Sequence, residues 1–69
     1  MRAVGAVLAH RRRELGLTQA DLGQLAGASQ YQISEWERGK RNIRLGSLVR
    51  LGAALRLQLV LIQIDVTGA

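Results

Sequence analysis

The sequence predicts an all-α bundle of four short helices, followed by a C-terminal β-strand that pairs with the same strand of a second copy. Three observations lead there. Apolar residues recur at helical spacing in four stretches, the first three ended by a glycine. The 48% apolar content is mostly Leu, Ala, Val and Ile, with one Tyr, one Trp and no Phe, which suits packed helices. From Leu57 onward the helical stripe stops and β-branched residues alternate instead. Residues 1–56 therefore form the folded domain and residues 57–69 a strand and tail. No repeat, linker or proline interrupts them.

The first helix, residues 3–15, carries Val4, Val7, Leu8 and Leu15 at helical spacing, and Gly16 follows as a left-handed cap. Thr18 caps the second helix, 19–26, with Asp21 in the capping-box position. Leu22, Leu25 and Ala26 are expected inward, and Gly27 breaks the helix. Ser29 caps the third helix, 30–38, with Ile33 and Trp36 inward and Gly39 at its end. A polar loop, 40–44, leads to the fourth helix, 45–55, with Leu45, Leu48, Val49, Leu51 and Leu55 inward.

The tail places Leu57, Leu59 and Leu61 on one alternating face and Val60, Ile62, Ile64 and Val66 on the other. A lone apolar strand is a liability, and pairing under two-fold symmetry removes it. The expected dimer interface is Leu57, Leu59, Val60, Leu61, Ile62 and Ile64. A fifth helix packed on the bundle, or a surface for a different protein, are the alternatives.

Size and composition exclude several classes. Sixty-nine residues make one small domain, marginal without a staple. Cysteine is absent and His10 is the sole histidine, so neither a disulfide framework nor a zinc site is expected, and no cofactor is implied. Association with another chain is the staple left. The carboxylates Glu14, Asp21, Glu35, Glu37 and Asp65 form no pair with a nucleophile, so catalysis is not expected. No apolar run is long enough to span a membrane, and the charge follows the first apolar stretch, unlike a signal peptide. The expected location is the cytoplasm.

Charge points to a partner. Ten basic residues stand against five acidic, for a net charge of +5. Arg11, Arg12 and Arg13 form one block, and Arg38, Lys40, Arg41 and Arg44 a second; residues 16–37 between them hold no Lys or Arg. Two phosphate clamps beside a neutral, glutamine-bearing surface fit nucleic acid. The stretch 19–36 reads as a helix-turn-helix. Gly23 sits where two helices cross, Gly27 permits the turn, and Leu22, Ile33 and Trp36 lock the second helix on the first. Gln30, Tyr31 and Gln32 then stand exposed in the first turn, with Ser34 and Glu35 following. Gln can bond adenine bidentately, Glu can accept from cytosine N4, and a Tyr ring can cover a thymine methyl. The helix N-termini at Thr18 and Ser29 are expected to offer free backbone N–H groups to phosphate.

The run Gly16–Leu17–Thr18–Gln19, Leu22, Ala26–Gly27–Ala28–Ser29, Ile33–Ser34 and Trp36–Glu37–Arg38–Gly39–Lys40–Arg41 resembles the Xre/Cro-type repressors over residues 4–55. That resemblance implies a lambda-repressor-like bundle that binds double-stranded, palindromic operator DNA as a homodimer. It implies base contacts from Ser29, Gln30, Tyr31 and Gln32, with Glu35 added from the chemistry above. It implies that Gln19 contacts phosphate and that Ser34, Lys40 and Arg41 lie near phosphates; Arg11, Arg13, Thr18 and Arg38 join them from charge and position. Arg12 and Glu37 match an ion pair linking the first helix to the end of the third. The strand-like tail is similar to HipB-type antitoxins, which implies a HipA-type kinase toxin as a second partner.

Departures from the family pattern are Ile43 in place of proline, Arg44 in place of a Ser or Thr cap, and Gly23 and Gly52 in place of alanine. Each glycine is expected to cost about 1 kcal/mol of helix stability. The functional expectation is an autoregulatory repressor, acting as an antitoxin. A stand-alone regulator, a protein-interaction module using the same surface, and a non-specific binder of RNA or membrane surfaces are the other readings. Plain structural roles also stand open: Arg11–Arg13 as a solvated face, Tyr31 as a surface residue, Trp36 as core.

Overall fold

The computed structural model describes residues 2–58 and 60. Its helices are α1 (Arg2–Glu14), α2 (Gln19–Ala26), α3 (Gln30–Glu37) and α4 (Leu45–Ala54). Each boundary falls within a residue of the sequence expectation. Leu57, Gln58 and Val60 are not in a strand; the remainder of the expected strand lies outside the described residues.

Capping explains the short helices. Thr18 and Asp21 form the expected reciprocal box, with Thr18 Oγ1 accepting from the Asp21 amide and Asp21 Oδ2 accepting from the Thr18 amide. Ser29 and Gln32 form a second box that the sequence reading did not identify. The turn between α2 and α3 runs through Gly27 at φ +69, and the Ala28 amide returns to the Gly23 carbonyl at 2.8 Å.

α2 packs against α3 and α4, and α1 packs against α3. Leu8, Leu22, Ala26, Ile33, Trp36, Ile43, Leu51 and Leu55 form the buried core. Ile43, a departure from the expected loop pattern, therefore plugs the loop into that core. Arg44, the other loop departure, caps α4 in extended geometry without a side-chain hydrogen bond.

Three inward expectations are corrected. Leu25 is 61% exposed, Leu45 65% and Val49 52%, and Val7 on the apolar spacing of α1 is 58% exposed. Each helix spends a narrower stripe on the core than its apolar content suggests. In α4 the stripe runs through Leu48 and Leu51 to Leu55, and Val49 lies about 160° around the helix from Leu51. In α2 the buried side is Leu22, Gly23 and Ala26, which turns Leu25 outward.

Gly23 is not a stability loss either. A Cβ there would stand 2.5 Å from the Ala28 carbonyl oxygen, so the close α2–α3 turn requires glycine. A Cβ at Gly5 would likewise collide with the carbonyl oxygens of Trp36 and Glu37 where α1 crosses α3. At Gly52 the nearest atom, the Leu57 oxygen, would be 3.1 Å away.

α4 closes with paired bonds from Arg56 N to Ala53 O and from Leu57 N to Gly52 O. Gly16 and Gly39 occupy the equivalent left-handed position after α1 and α3. Arg56 takes that position at φ +58 without being glycine.

Candidate nucleic-acid interface

α3 is held by a half-buried polar hinge. Arg12 reaches Glu37 through two bonds, Nε to Oε2 at 2.7 Å and Nη2 to Oε1 at 3.1 Å. Arg12 Nη1 also donates to the Leu17 carbonyl, and Gln19 Nε2 donates to Glu37 Oε1 at 3.0 Å. Three segments thus meet on one carboxylate: the end of α1, the start of α2 and the end of α3. The hydrogen bonds to Glu37 raise the Arg12 pKa further, against the opposing effect of burial. The guanidinium stays charged and the hinge persists across the physiological range.

The exposed edge of α3 splits into committed and free side chains. Ser29 Oγ accepts from the Gln32 amide, and Gln32 Oε1 accepts from the Ser29 amide, each at 3.0 Å. Gln32 is left with its Nε2 donors, so a bidentate adenine contact from Gln32 would break the cap. Gln30 is exposed, and among the described residues nothing holds its amide. Tyr31 is exposed as well, with the Arg41 guanidinium 6.0 Å from its ring centroid. Its hydroxyl lies 3.5 Å from Glu35 Oε1, a weak contact. Glu35 Oε2 accepts from Arg38 Nη2 at 3.0 Å. Glu35 is therefore tied to Arg38, which lessens its repulsion of phosphate.

The capping boxes narrow which amides at the two helix N-termini are free. The amides of Thr18 and Ser29 are not free, because Asp21 and Gln32 accept from them. The first-turn amides left without an intrahelical partner are the next ones, those of Gln19, Ala20, Gln30 and Tyr31. The two Thr18 bonds lower the Asp21 pKa, so that carboxylate is charged at neutral pH.

The expected phosphate ligands also divide. Arg13, Lys40 and Arg41 are exposed and carry no ion pair among the described residues. Arg11 Nε instead donates to the Leu55 carbonyl at 3.0 Å, and its Nη1 lies 3.5 Å from Glu14. Ser34 is half-buried on α3, and Gln19 serves the hinge. Of the tail residues, Leu57 packs against the core and Val60 is exposed; Leu59, Leu61, Ile62 and Ile64 lie outside the described residues.

Two contributors were missed from the sequence. Arg50 Nε donates to the Ala26 carbonyl at 3.1 Å, which ties α4 to the last turn of α2. No local signal marks a contact between residues so distant in the chain. The Ser29–Gln32 box, in contrast, has the S-x-x-Q signature of a helix start and was readable.

A helix-turn-helix whose second helix presents uncommitted polar side chains beside unpaired cations defines a class, the small DNA-binding regulators. The comparisons with known proteins agree. The chain belongs to the Helix-turn-helix family, in its Xre-type form, whose model matches residues 8–62. It is 44% identical over 52 residues to the uncharacterised HTH-type transcriptional regulator y4dJ of Sinorhizobium fredii (strain NBRC 101917 / NGR234). That match spans 75% of this chain and 68% of the relative.

Among solved structures, the P22 c2 repressor in complex with synthetic operator 9T superposes with a TM-score of 0.75 at 35% identity. The restriction-modification controller protein C.AhdI from Aeromonas hydrophila does so with a TM-score of 0.76 at 33% identity. Each covers 78% of this chain and 82% of its own. A chain of the HipA-HipB-O2-O3 complex has a TM-score of 0.78 at 23% identity, over 93% of this chain and 90% of that one. At that identity the likeness is one of fold. Fold and family are those of DNA-binding regulators, not enzymes. No helix among the described residues is long and apolar enough to cross a membrane.

Proposed function

We propose that this chain is a sequence-specific repressor that binds a palindromic operator as a homodimer and regulates its own operon. The observation that carries the reading is the free edge of α3: Gln30 and Tyr31 stand exposed beside Arg41, on a helix anchored by the Arg12–Glu37–Gln19 hinge. Gln30, and Tyr31 beside it, choose sequence. Arg13, Lys40 and Arg41 supply salt-dependent affinity. Ser29 and Gln32 contribute mainly by starting α3 in register. The solved relationship of the P22 c2 repressor to an operator supports the DNA partner.

Dimerisation through the tail, at Leu57, Leu59, Val60, Leu61, Ile62 and Ile64, would set two α3 helices about 34–36 Å apart. Within this reading the chain serves as the antitoxin of a HipA-type kinase toxin, in the cytoplasm. The apolar tail and the fold likeness to a chain of the HipA-HipB-O2-O3 complex support that assignment.

The test is fluorescence anisotropy with the DNA upstream of the coding sequence, against a scrambled duplex, across a salt series. The expected result is tight binding to the upstream duplex alone, two subunits per site, weakening steeply with salt. Equal, weak binding to both duplexes would overturn autoregulation.

A further inference from the structure

The exposed edge of α3 carries the chain's sole tyrosine, and its ring is approached from two directions. Tyr31 is 63% exposed, yet its hydroxyl lies 3.5 Å from Glu35 Oε1, one turn further along α3. The Arg41 guanidinium stands over the ring, 6.0 Å from its centroid. Arg41 belongs to a different segment, the loop between α3 and α4. Ile43, two residues later, is buried in the core and anchors that loop.

Charge leaves Arg41 available for the ring. Glu35 is held by Arg38 at 3.0 Å, and among the described residues no carboxylate lies within ion-pair distance of Arg41. An exposed aromatic side chain on a helix normally samples several rotamers, and a ligand that needs one of them must work against that entropy. A cation over the ring, set by the anchored loop, and a carboxylate at the hydroxyl favour one orientation. With the hydroxyl toward Glu35 and one side under Arg41, Tyr31 presents mainly hydrocarbon outward. In the major groove the matching feature is the C5-methyl group of thymine, which no other standard base carries.

We infer that Arg41 is a positioning residue for Tyr31, and that the pair selects a thymine by its C5-methyl group. This rests on the DNA-binding function proposed above. It gives Arg41 a part in sequence choice, whereas a phosphate contact alone carries no sequence information.

The test replaces thymine by deoxyuridine, one position at a time, in a duplex the chain has selected from a random pool. That change removes the methyl group and leaves the base pair's hydrogen bonds in place. The thymine-to-deoxyuridine affinity ratio is measured for the parent, Tyr31→Ala and Arg41→Lys at one fixed salt concentration. A ratio taken within each variant cancels any general loss of affinity. Burying a methyl group corresponds to about four-fold in affinity, so one thymine should show that ratio in the parent. Tyr31→Ala should lose it. Arg41→Lys keeps the charge but not the planar group that stacks on a ring, so its ratio should fall below about two-fold. In the free chain, the Arg41 δ-proton resonances should move downfield in Tyr31→Ala as the ring current is removed.

A ratio undiminished in Arg41→Lys overturns the positioning role and leaves Arg41 a phosphate charge. A parent indifferent to deoxyuridine everywhere, or ratios that all survive Tyr31→Ala, overturns the thymine assignment and leaves the DNA-binding reading standing. Arg41 resonances unmoved by Tyr31→Ala overturn the contact itself. Failure to select any duplex overturns the DNA-binding reading, and the thymine assignment with it.

Discussion

Removing Glu37 should damage this protein far beyond the loss of one surface ion pair. The side chains of Arg12 and Glu37 are 11% and 6% exposed, and Glu37 accepts three hydrogen bonds, two from Arg12 and one from Gln19. Glu37→Ala strands a charged guanidinium in a mostly buried site. Breaking such a pair costs about 3–5 kcal/mol, and the lower end applies because Arg12 keeps the Leu17 carbonyl as a partner. A domain of this size has about 3–10 kcal/mol in total, so the variant loses a third or more of its stability at 25 °C. Arg12→Ala should cost less, because Glu37 retains Gln19. The double variant removes the stranded charge and should be no worse than Glu37→Ala, leaving a coupling energy of about 2 kcal/mol. Urea unfolding followed by Trp36 emission measures all four proteins, since Trp36 is the sole tryptophan and lies in the core. Single-variant costs that add to within about 0.5 kcal/mol would refute the hinge.

Three further predictions follow from the backbone and the caps. Arg56→Gly should stabilise the chain by about 0.5–1 kcal/mol, because it relieves a left-handed arginine at the end of α4 while adding some chain entropy to the unfolded state; an unchanged or lowered melting temperature would contradict this. Gly23→Ala should destabilise by about 1–2 kcal/mol, since the contact with the Ala28 carbonyl outweighs the gain in helix propensity, and a raised melting temperature would show that propensity dominates. Asp21 has a lowered folded-state pKa, so its stabilisation is fully present above the unfolded value of about 3.9 and is lost as pH falls through the folded one. The stability gap between the parent and Asp21→Asn should therefore close in acid; a gap that held constant from pH 6 to pH 2 would count against it.

What the sequence made legible was local. Thr18 with Asp21, Ser29 and the glycines at 16, 27 and 39 mark helix ends through interactions that span a few residues, and the helices appear there. The helix-turn-helix was legible because its spacing constrains one short stretch. The facing of Val7, Leu25, Leu45 and Val49 was not, because periodicity shows that a stripe exists but not how wide the contact with a neighbour is. Ile43 and Arg50 escaped for a related reason: their partners lie in other helices, and only the packed fold brings them together. The sequence places Gly23 at the crossing of two helices, but the helix-propensity cost assigned to it leaves out the Ala28 carbonyl opposite it. In the candidate interface, residue types pointed to Gln30 and Gln32 alike. The second capping box separates them, leaving Gln30 free and Gln32 engaged.

That separation leads to the measurement that bears most directly on the central claim, that α3 reads DNA sequence through its free edge. Affinities of the parent and Gln30→Ala are compared on a duplex the chain selects from a random pool and on unrelated DNA, at one fixed salt concentration. The account predicts a loss of about 1–3 kcal/mol on the selected duplex and almost none on unrelated DNA. Equal losses on both, or no loss on either, would contradict it.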